Sequence, residues 1–415
     1  MRSFDIPEYY RSPIISRVKA GRKQLDPRKT DFTPTLLDFK KVRIVLARHF
    51  GFCFGVENAI EISYKAIAEN PGKRIFLLSQ MIHNPEVNED LESRGVRFLH
   101  DTKGRELTPF EEVGEGDVVI IPAFGTTLEM KDKLSKAEIL QYNTTCPFVE
   151  KVWKRSDKLG AEDFTIIIHG KPDHEETRAT FSHASSSGTA LVVADYAEAE
   201  ILTDMIQNGF ETPEKVAAFW AKFKGRTSDN FNPESDLDRI GVVNQTTMIA
   251  AETNEIAELL KTSVGTERFS NTRDTLCYAT NDNQKSTMGA LEANLADMAI
   301  VVGGYNSSNT SHIVELCEKQ LPTFFVRNEL EWEEGGAVNH FNIHTQEIQK
   351  SSNILPSSEK TPTILVTSGA SCPDASLERV IKKVLENYGI DGVNDVEEVL
   401  KDWEVELVNS LHGST

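Results

Sequence analysis

Five cysteines hold the most specific chemistry in this chain, and three of them share a local context. Cys53 lies in HFGFCFGVENAI, where a strand runs into a Gly-flanked turn and a helix starts just beyond. Cys146 lies in NTTCPFVEKVW, with Pro147 suited to the first position of a helix. Cys277 lies in DTLCYATNDNQ, ahead of a helical stretch at 283–296. A helix N-terminus favours the thiolate, the form that ligates metals. The three lie 93 and 131 residues apart, so each belongs to a separate unit about the size of a small α/β domain. A single free cysteine is commonly a small buried hydrophobe, but three in one context argue for a shared centre. Cys317 falls mid-helix in SHIVELCEKQ and reads as core. Cys372, in SGASCPDAS, shares the Cys-Pro helix start of Cys146 and stays open as a ligand on local chemistry. Three thiolates suit zinc or an iron–sulfur cluster. Structural zinc prefers four ligands, often in close pairs, and the sequence has no such pair. A [4Fe–4S] cluster on three cysteines leaves one iron open to a substrate, and widely separated ligands fit it better.

Polar loops supply the other candidates. HGKPDHEETRAT (169–180) carries His174 and Glu176, which can offer an anion contact and a proton donor, against the plainer alternative of a solvated acidic helix start. In GGYNSSNTSH (303–312), Ser307, Ser308, Asn309 and the amides of a helix start can cradle phosphate oxygens. The alternative there is an ordinary cap, and the double glycine before three such residues favours the anion. NQTT (244–247) and SGAS (368–371) are similar hydroxyl-rich strand ends, and MIHNPEV (81–87) places His83 at another. A lone histidine is more often structural.

These loops need strands and helices to position them. Short β-rich runs occur at 42–48, 73–79, 117–123, 164–170, 189–195, 239–245, 298–304, 322–327 and 362–368. Several are continuously apolar, which marks strands covered on both faces, as in parallel sheets. Amphipathic helices between them complete a βα alternation and predict an α/β protein with its ligand beyond the carboxyl ends of the strands. Segments 222–238 and 346–361 are loop-like in composition and receive no chemical role. Residues 1–41 hold ten Lys/Arg against five Asp/Glu, a net of +5, and four prolines that should break any amphipathic helix. They read as an arm packed on the body and dispensable for its chemistry. With no apolar core and several acids, they do not read as a secretory signal, and a transit role is a minor alternative.

Composition excludes several classes. With 39% hydrophobic residues the chain can bury a core, and at 415 residues it is long enough for two or three domains. No stretch approaches the ~18 apolar residues of a membrane span, so a soluble protein without a membrane partner is expected. The net charge of −19 argues against nucleic acid as a partner. Few cysteines, odd in number, point to a reducing compartment, here the cytoplasm or, alternatively, a plastid-type organelle. No phosphate-binding P-loop, dinucleotide fingerprint or hydrolase elbow occurs, so electrons for any redox chemistry are expected from another protein. A non-catalytic iron–sulfur sensor and a zinc hydrolase are the competing readings.

Together these strings resemble the LytB/IspH family of 4-hydroxy-3-methylbut-2-enyl diphosphate reductases of isoprenoid biosynthesis. GFCFGVENAI, IHNPEV, TTCPFVEKVW, HEETRAT, NQTT, CYAT, NSSN and SGASCPD occur in the family's order across residues 42–380. PAFGTT, HGKPDHEET and the long arm look like the long form of cyanobacteria and plastids. The resemblance implies three small α/β domains with mainly parallel sheets in a pseudo-threefold trefoil around a central [4Fe–4S] cluster. These would be 54–145, 146–276 and 277–400, with 42–53 able to join the last, between the arm 1–41 and a tail 401–415. Cluster ligands would be Cys53, Cys146 and Cys277, whereas Cys372 falls where relatives often carry another small residue. Diphosphate contacts would be His83, His174, Ser307, Ser308, Asn309 and Ser371. Glu176 would relay protons, and Thr246 would lie near the substrate hydroxyl. Phe124 stands where many members have a histidine, so one diphosphate contact is lost or replaced. The implied activity is the last step of the methylerythritol phosphate pathway, reductive dehydroxylation to isopentenyl and dimethylallyl diphosphate, fed by a ferredoxin- or flavodoxin-type donor.

Overall fold

The structure, a computed structural model, describes residues 4–229, 231–270, 275–334, 336–356, 360–390 and 393–412. From the N-terminus come α1 (Pro13–Leu25), β1 (Thr35–Asp38), β2 (Arg43–Leu46), α2 (Phe54–Glu69), β3 (Ile75–Leu77), α3 (Pro85–Ser93), β4 (Val96–Phe98), β5 (Val118–Ile121), α4 (Leu128–Lys136) and β6 (Leu140–Asn143). Next are α5 (Pro147–Ala161), β7 (Thr165–His169), α6 (Glu175–Ser187), β8 (Ala190–Val193), α7 (Tyr196–Asn208), α8 (Pro213–Phe223), α9 (Pro233–Asp236), β9 (Ile240–Asn244), α10 (Ala250–Val264) and β10 (Phe269–Ser270). The chain closes with α11 (Tyr278–Glu292), β11 (Met298–Val302), α12 (Ser308–Glu318), β12 (Thr323–Val326), β13 (Ala337–Asn342), β14 (Glu347–Ser352), β15 (Thr363–Ser368), α13 (Asp374–Asn387) and α14 (Val393–His412). Among the described residues no helix is long and apolar enough to cross a membrane.

The chain divides into two compact units. The first holds residues 1–54, 83–85 and 279–415. Its five-stranded sheet runs β1-β2-β15-β11-β12, parallel except for β1. Alternate side chains explain why both faces are covered. Ile44, Leu46, Ile300, Val302, Ile364 and Val366 pack on the side of α1 and α13, and Val45, Val301 and Leu365 pack toward α12. The second unit holds residues 55–82 and 86–278 and contains two parallel four-stranded sheets, β4-β3-β5-β6 and β10-β9-β7-β8. Every residue of β5, β7, β8, β9, β11 and β15 is buried, which is why these strands stand out as apolar runs. The protein is therefore α/β with mainly parallel sheets.

Three expectations fail. The arm's prolines do not prevent a helix. Pro13 occupies the first helical position, where its missing N–H costs nothing, and the Ser12 hydroxyl caps α1 by accepting the Ile15 N–H at 2.9 Å. Nor is the arm, which packs on the body as expected, separable from it. Ile15, Val18, Leu37 and Phe39 belong to the first unit's core, and β1 covers the edge of β2. Burial of each such side chain stabilises by about 1.5–3 kcal/mol, so deleting the arm removes part of the fold. Its positive charge has a local partner, because Arg17 pairs with Glu397 and Glu404 of α14 and Lys19 pairs with Asp374. Residues 401–412 continue α14, and Gly21 of α1 leaves room for the Trp403 ring, which a Cβ there would meet at 2.7 Å. Finally, 346–361 is not all loop, since β14 pairs with β13 in a two-stranded hairpin. A hairpin that is largely exposed on β14 shows no apolar alternation, so backbone pairing alone reveals it.

Candidate active site

The three cysteines in question all sit at helix starts. Cys53 immediately precedes α2, Cys146 is the N-cap of α5 with Pro147 at the first position, and Cys277 immediately precedes α11. Helix α11 starts at Tyr278, five residues before the expected stretch. Its inner face is polar, with Asn283, Gln284, Ser286 and Thr287 buried, so apolar periodicity does not mark it. Cys53 and Cys146 are half-buried and Cys277 is buried, and none is in a disulfide. Free helix-start amides and the helix dipole favour a negative charge at each. Cys317, by contrast, is enclosed within α12, where burial pushes its thiol up to about 12. Cys372 lies in the core beside Leu377 and Val380, with its Sγ 3.5 Å from the Pro373 carbonyl oxygen. Burial thus disfavours the Cys317 thiolate. The soft donor set at the helix starts fits an iron–sulfur cluster. Among the described residues, neither unit by itself gathers three His, Cys, Asp or Glu side chains into a metal site.

In the first unit, the loop after β15, the start of α12 and the Cys53 turn are tied together. The Cys53 N–H donates to the Ala370 carbonyl at 3.1 Å, and the Ala370 N–H donates to Asn309 Oδ1 at 2.7 Å. Ser307 caps α12 by accepting from the Thr310 N–H and hydroxyl, at 3.3 and 2.9 Å. The Ser371 hydroxyl lies 3.3 Å from both Ser307 Oγ and the His83 carbonyl oxygen. His83, Ser307, Ser308 and Asn309 are buried. Asn309 Nδ2 is buried without a hydrogen-bond partner among the described residues. Such a donor is costly to leave unmet and is suited to a ligand oxygen. His312, which sequence reasoning did not single out, backs the cluster. Its Nε2 is 3.4 Å from Ser308 Oγ and its Nδ1 is 2.9 Å from Glu315 Oε2. The helical spacing of Ser308, His312 and Glu315 was the available signal.

In the second unit, β7 and β9 deliver Glu176 and Thr246 to each other. Glu176 Oε1 accepts the Thr246 N–H at 2.5 Å, and Oε2 accepts the Thr246 hydroxyl at 2.9 Å. These bonds, and the α6 N-terminus, favour the carboxylate. Burial opposes them and wins: Glu176 is pushed up from 4.5 to about 7. His174 caps α6 through Nδ1, which accepts the Glu176 N–H at 3.1 Å, and the Phe124 ring meets it edge-on at 5.5 Å. His169 is buried against the Thr253 hydroxyl at 2.9 Å and is a structural residue. Two more residues were missed. Gln245 Oε1 accepts from the Lys171 N–H and the Thr177 hydroxyl, both at 3.0 Å, fixing the loop before α6. Asn244 Oδ1 accepts the Thr275 hydroxyl at 2.6 Å, anchoring the segment two residues before Cys277. These bonds link positions that no short string brings together.

Fold and site thus define an α/β protein with thiols at helix starts, a desolvated acid and a neutral anion cradle. A family model described as LytB protein matches residues 44–385. Curated relatives named 4-hydroxy-3-methylbut-2-enyl diphosphate reductase include one from Thermosynechococcus vestitus, 38% identical over 351 residues and covering 83% of this chain and 84% of that protein. Another, from Gloeobacter violaceus, is 37% identical over 359 residues and covers 84% of each. The solved E-1-hydroxy-2-methyl-but-2-enyl-4-diphosphate reductase from Plasmodium falciparum is similar in fold, with a TM-score of 0.61 at 20% identity over 85% of this chain and 90% of that one. The chain belongs to the LytB family.

Proposed function

We propose that this protein reduces 4-hydroxy-3-methylbut-2-enyl diphosphate to isopentenyl and dimethylallyl diphosphate, the last step of the methylerythritol phosphate pathway. The reaction takes up two electrons and two protons, cleaves the allylic C–O bond and releases water. The observation that carries this reading is the placement of three thiols at helix starts while the other two are packed in hydrophobic clusters. Cys53, Cys146 and Cys277 would hold a [4Fe–4S] cluster. When bound, the cluster supplies electrons and one iron without a protein ligand as a Lewis acid for the substrate hydroxyl.

The chain's own residues do the rest. Ser307, Ser308, Asn309 and Ser371, the α12 amides, His83 and His174 bind the diphosphate and fix its orientation. Neutral donors suffice, because the helix N-terminus already carries partial positive charge. Glu176 holds a proton near neutral pH and gives it to the leaving oxygen, with the Thr246 hydroxyl beside its Oε2 orienting that transfer. A buried acid poised in this way distinguishes an enzyme from an iron–sulfur sensor. Electrons come from an external carrier of ferredoxin or flavodoxin type, in the reducing cytoplasm. Anaerobic reconstitution tests the proposal. About four irons per chain and a brown protein are expected, with substrate-dependent oxidation of a reduced viologen dye. A stable iron-free protein, or a brown one inert to substrate, would overturn it.

A further inference from the structure

Helix α5 leads away from Cys146 and presents a stripe of lysines. Its buried face is Val149, Val152, Trp153, Ser156 and Leu159. On the opposite side Pro147, Lys151, Lys154 and Lys158 are exposed, spaced along one helical face. The acids of the helix are engaged elsewhere. Asp157 Oδ1 accepts the Ser187 hydroxyl at 2.5 Å, and Glu150 lies in the field of Lys131. Lys158 is 3.7 Å from Glu162, whereas Lys151 and Lys154 have no ion-pair partner among the described residues. At 1.5 Å per residue the three ammonium groups project from roughly 8–18 Å beyond Cys146 along the axis.

An aromatic pair adjoins the stripe. The Phe148 ring meets the Tyr278 ring edge-on at 4.9 Å, and Tyr278 is 46% exposed. These two residues follow Cys146 and Cys277 by two positions and one, so the pair sits at the starts of two of the three proposed ligand helices. An exposed tyrosine on a half-buried phenylalanine, beside a row of exposed lysines, is the composition of a docking site. The rest of the molecule defines its partner. With a net charge of −19, this chain repels acidic proteins in general, so an acidic partner can approach only where positive charge is concentrated.

We propose that the Lys151–Lys154–Lys158 face of α5, with Phe148 and Tyr278 at its Cys146 end, is the docking surface for a small acidic electron-carrying protein. This rests on the proposed function, which needs such a carrier because the sequence has no dinucleotide-binding fingerprint. The patch puts the carrier beside two ligand cysteines, and the lysines steer its approach and set its orientation. The encounter is therefore strongly salt-dependent, because exposed charges are screened within about 8 Å at physiological ionic strength.

The test uses the full-length, cluster-loaded chain and a plant-type [2Fe–2S] ferredoxin as the acidic probe. Binding is read by anisotropy of labelled oxidised ferredoxin at low and high salt. Turnover is read with reduced ferredoxin and, separately, with reduced methyl viologen. K151E/K154E/K158E should raise both the Kd and the KM for ferredoxin at least ~10-fold and flatten their salt dependence, with viologen turnover within about twofold of the parent. K65E/K224E/K350E makes the same charge change at exposed lysines elsewhere and should leave all three readouts near the parent. Equal losses in both triples, unchanged binding in the first, or no salt-dependent binding by the parent overturns the docking surface. If the parent fails to turn over even with viologen, the proposed function fails, and the anisotropy comparison still decides the surface.

Discussion

Helices α6 and α12 start in the same way and end up with opposite electrostatics. Each follows the carboxyl end of a central parallel strand, β7 or β11, and each has a side-chain cap, His174 or Ser307. The first turn of α6 contains Glu175 and Glu176, both buried, so the chain's own carboxyl groups occupy the positive end of that helix. The first turn of α12 has no acid and presents Ser308, Asn309 and Thr310. One helix start therefore holds a proton, and the other is left for an external anion. A common scaffold supports both because the chemistry lies in the side chains of one turn, whereas the strand and helix only aim them.

The largest expected effect tests what both helices serve. Replacing Cys53, Cys146 or Cys277 by Ser should abolish the visible absorbance and strip the iron, whereas Cys317→Ser and Cys372→Ser should keep both. Iron content of the five variants decides it, and full retention in Cys277→Ser would remove that residue from the ligand set.

Glu176→Gln keeps the side chain's shape but loses its proton. It should retain the cluster and substrate binding while kcat falls ~10²–10⁴-fold. A residue that only caps the helix would cost about 1 kcal/mol of stability with nearly normal turnover, so anaerobic kinetics separate the two. Asn309→Asp makes the reciprocal change by bringing an acid to α12. It keeps the oxygen that accepts the Ala370 N–H and replaces Nδ2 by negative charge. The KM should rise ~10–100-fold with kcat much less affected, since a like charge opposite the diphosphate costs ~1–3 kcal/mol. If both variants lowered kcat alone, the division of labour between the two helices would be wrong.

The smallest effect is on pH. With Glu176 at about 7 instead of 4.5, the folded protein holds its proton where the unfolded chain has released it. Its contribution to stability is fully present below pH ~4.5 and is lost as pH rises through about 7. The melting temperature of Glu176→Gln relative to the parent should therefore climb between pH 5 and 8. The parent's kcat should decline above pH ~7 as the acid form is depleted, and the variant's residual rate should lack that limb.

Each of the nine β-rich runs became a strand, and the continuously apolar ones stood out because a strand packed on both faces must be apolar at every position. The helix starts at Cys53 and Cys146 were equally legible, since a glycine turn and a Cys-Pro pair are local signals. Strands β1, β4, β6 and β10 were not, and all four lie at sheet edges. An edge strand half-facing solvent carries too few apolar residues to show a period, and β6 reads LQYN with no buried position. The same limit applied at the site. Single strings indicated Glu176, Thr246 and the Ser/Asn turn as polar residues at strand ends. That Glu176 is desolvated enough to keep a proton depends on β7 and β9 being neighbours, which brings together Glu176 and Thr246 from 70 residues apart in the chain. That Asn244 anchors the approach to Cys277, and that the arm belongs to the core, depends likewise on distant segments meeting. Local sequence sets backbone preference and the chemical nature of each side chain; burial and long-range hydrogen bonds, which set its charge state, exist only after the chain has folded.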